Sequence, residues 1–286
     1  MHSDINPQMS KFKSLALIFI FSLVSSLAYA SYQKSLWPIW EANNPLSKKV
    51  ISHKLWNDFL QLHVITNEEG INLVDYAHIN TDDCAKLTTY LNQMSKIKIA
   101  NYNRNEQLAY WINIYNALTV QTVASYYPVA SIQEVNVSPG LFSVGPWGAM
   151  LITIQNTPLS LDEINNRIIR PIWNDPRTQY TINNATIGAP NLSRQAYQGP
   201  ILEQQLNEAT SAYVNSLRGV QVIEGKLIIS KLYDWYQEDF GGTKSYVIKH
   251  LLQFAKEPLL SQLKHINSVD SYTYNWHINS PVSNDS

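Results

Sequence analysis

The chain has 286 residues, 21 Lys and Arg against 22 Asp and Glu, and charged side chains make up only 15% of it. A charge so nearly balanced and so sparse argues against an electrostatic nucleic-acid binder and against an acidic tail. Cys84 is the single cysteine, which excludes an intramolecular disulfide.

The N-terminus reads as a targeting segment. Lys11 and Lys13 form a short basic region, residues 14–27 are apolar and uncharged, and Ala28-Tyr29-Ala30 is a small-x-small cleavage site. Residues 1–30 are therefore expected to be a cleaved signal peptide, with cleavage after Ala30. In a Gram-negative bacterium the product would be periplasmic. About 256 residues remain, 31–286, enough for one large domain. Nothing after the signal is apolar for the ~20 residues that a membrane helix needs.

Residues 31–49 read as an irregular lead-in, and 51–64 as a helix with Leu55, Trp56, Phe59, Leu60 and His63 at helical spacing. Residues 82–94 form a second helix that carries Cys84, read as a buried small hydrophobe. Residues 105–126 give the strongest helical signal, with Leu108, Trp111, Ile112, Tyr115, Leu118 and Thr122 at steps of three and four before Pro128. A hairpin is expected over 150–159, turning at Asn156-Thr157. Ser160 then caps a helix, Glu163 completing an S-x-x-E capping box, and that helix should stop near Ile169, ahead of Pro171. Residues 180–183 read as a short strand and 201–217 as an amphipathic helix. A second hairpin spans 220–229 and turns at Glu224-Gly225. Helices follow at 230–240, 244–255 and 258–264. The expectation is an α+β chain, mainly helical, one domain with two short β-hairpins.

Several blocks resemble a family with bacterial and plant members, domain of unknown function 547. They are Leu108-Ala-Tyr-Trp-Ile-Asn-Ile-Tyr-Asn-Ala-Leu118, Pro128 with Ser131-Ile132, Gly145-Pro-Trp147, Leu159-Ser-Leu-Asp-Glu-Ile164, Ile169-Arg-Pro171 and Asp175-Pro-Arg177. Ile187-Gly188 with Pro190-Asn-Leu192, Asp234-Trp-Tyr-Gln-Glu-Asp-Phe-Gly241 and Tyr274-Asn-Trp-His-Ile-Asn279 extend the likeness. The resemblance implies a Glu-His pair where this chain has Asn165-Asn166, and a His where it has Gln179. It also implies an Asn-Cys pair where this chain has Asn183-Asn184, a second Cys at Ala189 and an Asp at Asn275. A Cys–His pair can supply a thiolate nucleophile, because the imidazole takes the thiol proton. An amide neither titrates in water nor attacks, but it keeps a hydrogen-bonding group of similar size. The resemblance thus implies a site that has kept its shape and lost its reactive groups; relatives using those positions structurally, or for a metal, are the other reading.

The candidate pocket comprises Asn113, Asn116, Asn165, Asn166, Arg170, Arg177, Gln179, Asn183, Asn184 and His277. For Asn113 and Asn116, structural and ligand-contacting roles are both open. Arg170 and Arg177 suit either a carboxylate ligand or local pairing with Asp162 or Asp175. Asp234, Glu238 and Asp239 read as helix capping and solvated faces before they read as an acid–base pair. The histidines His53, His63, His78, His250, His265 and His277 have no metal-binding spacing, so neither a metal nor a cofactor is expected. Most of the Tyr and Trp residues fall at helical core spacing, which puts packing ahead of a wall-binding aromatic surface. The functional expectation is a periplasmic, non-catalytic binding or envelope-interaction protein with a degenerate pocket, its ligand or envelope partner unidentified. The alternative is a hydrolase of peptide, amide or ester bonds that uses Asp234, Glu238 or His277.

Overall fold

The computed structural model describes residues 33–281; the signal-peptide prediction lies outside these. Helix α1, Lys54–His63, buries Trp56, Phe59, Leu60 and His63. The chain approaches it through Ile51, whose amide donates to Glu106 Oε2, 3.1 Å away, and the helix begins at Lys54 instead of at the expected residue 51. The chain then enters a hairpin that the pattern did not announce, β1 (Val64–Thr66) against β2 (Asn72–Val74). Its turn is held by Asn67 Oδ1, which accepts from the amides of Glu69 and Ile71. Helix α2, Thr81–Ser95, opens on an Asn80–Asp83 capping box. Cys84 sits in its first turn and is half-buried, not the fully buried hydrophobe expected.

Helix α3, Arg104–Tyr126, is the centre of the molecule, with buried residues on every face. A helix surrounded in this way belongs to the core. Around it gathers an apolar cluster that includes Trp40, Trp56, Leu87, Tyr90, Trp111 and Leu118. A second cluster is built from α6 (Leu202–Val214), β5 (Val220–Ile223), β6 (Lys226–Ser230) and α8 (Lys244–Phe254), with Tyr180, Tyr213, Tyr233 and Phe240 at its centre. The β5–β6 hairpin turns at Glu224-Gly225 as expected, and β7 (Ser271–Thr273) adds to β6 in parallel. The fold is α+β and mainly helical, its strands confined to small sheets.

Between the two clusters the chain departs from simple helix. The hairpin β3 (Ile152–Ile154) and β4 (Thr157–Leu159) leads into α4, Leu161–Glu163, under the Ser160–Glu163 capping box. Residues Ile164–Ile169 then widen into a π-helix before α5, Arg170–Trp173. Pro171 accounts for this. It has no N–H for the Arg167 carbonyl and would crowd it in an α-helix. In the wider register the Arg170 amide bonds to Asn165 O. Asn166 O accepts from the Ser35 amide and Arg167 O from the Trp37 amide, each at 3.0 Å. The helix therefore passes through Pro171 instead of ending before it, and Asn174 (φ 48°) terminates it.

Two further expectations are corrected. Residues 180–183 form no strand: Pro176–Tyr180 is a 3-10 helix, and the backbone beyond it bonds to side chains of α3 instead of to a neighbouring strand. The helix expected over 230–240 is α7, Leu232–Trp235, followed after a break at Tyr236 by a 3-10 turn, Gln237–Phe240. Helix α9, Leu259–Leu263, is the last helix among the described residues.

Candidate functional site

A cleft of about 650 Å³ opens where the two apolar clusters meet. Tyr115 and Ile182 reach it from the first cluster and Leu232 and Tyr236 from the second. Its floor includes Asn165, Gln179 and Asn184, and its wall Trp147, Trp235, Tyr274 and Trp276.

The wall is assembled from three distant segments. Trp147 folds back over Gly145, where a Cβ would stand 2.2 Å from the indole, so this Gly-Pro-Trp turn tolerates no side chain at its first position. Tyr274 and Trp276 arrive on the closing segment, whose backbone lies directly on residues 185–188. The amides of Ile187 and Gly188 donate to His277 O and Asn275 O, each at 2.8 Å. Here too glycine is required, since a Cβ on Gly188 would lie 2.7 Å from Asn275 N. The rings then pack edge to face or tilted: Trp235–Tyr274 at 4.8 Å, Tyr274–Trp276 at 4.8 Å, Trp235–Trp276 at 5.3 Å and Trp147–Trp276 at 6.1 Å between centroids. All four rings are half-buried, so part of each faces solvent.

The floor is amide chemistry with unspent capacity. Asn165 is 3% exposed. Its Nδ2 lies 3.4 Å from Tyr236 Oη, and its Oδ1 is buried without a hydrogen-bond partner among the described residues. Asn184 Oδ1 accepts from Thr186 Oγ1 (2.7 Å) and Tyr274 Oη (3.0 Å), while its Nδ2 makes no hydrogen bond among the described residues. Gln179 Nε2 donates to Asp239 Oδ2 at 2.8 Å. Lys231 and Asp162 are the only charged side chains that line the cleft among the described residues. The Asp162 carboxyl is pushed up to about 6, chiefly by burial and secondarily by the nearby Glu163 carboxylate.

The other sequence candidates support this floor or stand apart from it. Asn113 clasps one backbone unit, Nδ2 donating to Tyr197 O and Oδ1 accepting from Tyr197 N. Asn116 does likewise for the segment carrying Asn184, bonding to Thr181 O and Asn183 N. Asn183 holds Pro190 O and the Ala185 amide. Asn166 Oδ1 accepts from Arg170 Nη1 at 2.8 Å, and Arg170 is held by Asp239. Arg177 is engaged with Asp175, Glu203 and Asn207. His277 is exposed and, like Asp234 and Glu238, does not line the cleft. Ala189 is buried. Among the described residues no three His, Cys, Asp or Glu side chains gather into a group able to hold a metal, and no helix is long and apolar enough to cross a membrane.

Sequence reasoning did not assemble the aromatic wall, and it read Asp239 as a solvated face where the side chain is buried against Arg170. One signal was present: Trp147, Tyr274 and Trp276 all lie outside the expected helices, where helical core spacing does not account for a ring.

No curated protein and no solved structure matches the chain. Residues 99–214 match the profile of the family described as "Protein of unknown function, DUF547". The match takes in the blocks from Leu108 to Leu192, and with them the cleft floor; the Asp234–Gly241 and Tyr274–Asn279 blocks lie beyond it.

Proposed function

We propose that this is an exported protein of the cell envelope whose cleft binds a ligand without transforming it. The observation that carries this reading is the chemistry of the floor, where Asn165, Gln179 and Asn184 face the same cleft as amides. These are positions at which the family resemblance implies Glu, His and Cys. An amide floor can orient a ligand by hydrogen bonds, but it offers neither a thiolate nor an imidazole base. Export is supported by the basic, apolar and Ala-Tyr-Ala succession of residues 11–30. N-terminal sequencing of the protein from an envelope fraction should begin at Ser31.

A catalytic reading draws on one observation, the Asp162 carboxyl, which is held near neutrality in the cleft and so has the acidity of a general acid. Incubation with chromogenic peptide, amide and ester substrates separates the two readings. No turnover is expected. Turnover that disappears in Asp162→Asn, or in Asn184→Ala, would establish an enzyme.

A further inference from the structure

We propose that the ligand of this cleft is a neutral saccharide, held by its hydroxyls on the amide floor and by its C–H faces on the aromatic wall; this rests on reading the cleft as a binding site.

Three features of the cleft favour that class. The first is the unspent polar capacity of the floor. Asn165 Oδ1 is an unpartnered acceptor in a residue only 3% exposed, and Asn184 Nδ2 is an unpartnered donor. A saccharide matches both, because its hydroxyls donate as well as accept. Turning either amide exchanges its donor and acceptor, and a hydroxyl still fits. A buried polar atom left unmatched is costly, so the floor favours a ligand that brings such groups.

The second is the wall. Trp147, Trp235, Tyr274 and Trp276 are mutually inclined by 44° to 72° where their pairs are in contact, so their exposed parts face different directions. A pyranose has apolar C–H faces ringed by hydroxyls and suits a pocket whose rings and amides alternate around it. Phe142, 86% exposed, stands among the lining residues and extends the aromatic surface outward.

The third concerns the competing classes. A polyanion would need a basic track, but among the described residues Lys231 is the only cationic side chain lining the cleft and Asp162 offsets it. An extended peptide usually adds to a free strand edge, and none of the lining residues lies in a β-strand. A volume of about 650 Å³ suits a short oligosaccharide or a compact ligand, not a long chain.

The test is titration of the purified protein with chitotriose, cellotriose, maltotriose and, separately, trialanine, read by tryptophan fluorescence and calorimetry, with mass spectrometry of the ligand afterwards. At least one trisaccharide should bind one per chain with Kd below about 1 mM. Trp235→Phe and Phe142→Ala should each weaken it, and Trp235→Ala should weaken it about tenfold. Asn184→Leu should weaken it by a similar factor. Phe142→Ala guards against misfolding, since that ring is exposed. Binding of trialanine but of no trisaccharide overturns the saccharide assignment and leaves the binding function standing. Binding of no ligand overturns the saccharide assignment. Binding of a trisaccharide that is recovered cleaved overturns the non-catalytic reading and leaves the ligand class standing.

Discussion

Arg170 and Asp239 meet in a two-pronged pair behind the cleft floor, Nε to Oδ2 at 2.6 Å and Nη2 to Oδ1 at 3.2 Å, with both side chains almost wholly buried. The same Asp239 Oδ2 takes a hydrogen bond from Gln179, and the same guanidinium donates to Asn166. One ion pair thus fixes an amide of the floor and the π-helix beside it. Asp239→Ala leaves a buried guanidinium without its carboxylate, and we expect a loss of about 3–5 kcal/mol. Urea denaturation should show a lower midpoint, and the double variant Arg170→Met, Asp239→Leu should recover much of the loss.

Asp162 sets a pH dependence of its own. Burial raises its folded-state pKa to about 6, above the ordinary carboxylate value. Between the unfolded value near 4 and the folded value near 6, the folded chain holds a proton that the unfolded chain releases. Stability therefore falls as pH rises through that window, and above it the buried charge costs about 3 kcal/mol. Asp162→Asn should be the more stable protein at about pH 8 and no better at about pH 4. Equal stabilities at both pH values would contradict the buried-carboxylate account.

His250 works in the opposite direction. Its Nε2 lies 2.8 Å from Tyr180 Oη, the two rings stack at 5.7 Å, and burial lowers its pKa to about 4. Above the unfolded value of about 6.5 the residue is neutral in both states and contributes no slope. As pH falls from there toward 4, the unfolded chain takes up a proton that the folded chain refuses, so stability is lost, by about 3 kcal/mol at the lower end. His53, lowered to about 4 by the same cause, adds to the loss. Chemical denaturation across this range should show a shallower slope in His250→Gln, which retains an acceptor for Tyr180.

Gly188 couples the closing segment to the floor. A methyl group there would press on the backbone of Asn275 at 2.7 Å, and Tyr274 and Trp276 flank that contact. Gly188→Ala should cost about 1–3 kcal/mol through overpacking. It should also alter the near-ultraviolet circular dichroism of the aromatic wall, whereas Gly225→Ala, at an open hairpin turn, should not.

Local signals carried the parts of this fold that local chemistry decides. The Ser160–Glu163 capping box, the long run of α3 and the Glu224-Gly225 turn are where residue spacing puts them. Segments whose backbone groups find distant partners were not legible. The π-helix depends on Ser35 and Trp37 reaching Asn166 O and Arg167 O, and the segment after Tyr180 bonds to Asn116 instead of to a strand. The candidate site divides in the same way. Asn165, Gln179 and Asn184 come from a short stretch that marked itself by its amides. The rings that complete the cleft come from residues 147, 235, 274 and 276 and meet only in the folded chain.

The most direct test of a cleft that binds without turning over is native mass spectrometry of the protein mixed in turn with chitotriose, cellotriose and maltotriose. The account predicts one intact trisaccharide per chain, an adduct that weakens in Trp235→Ala and stays unchanged in mass over hours. Absence of an adduct with all three, or replacement of an adduct by cleaved sugar, would contradict it.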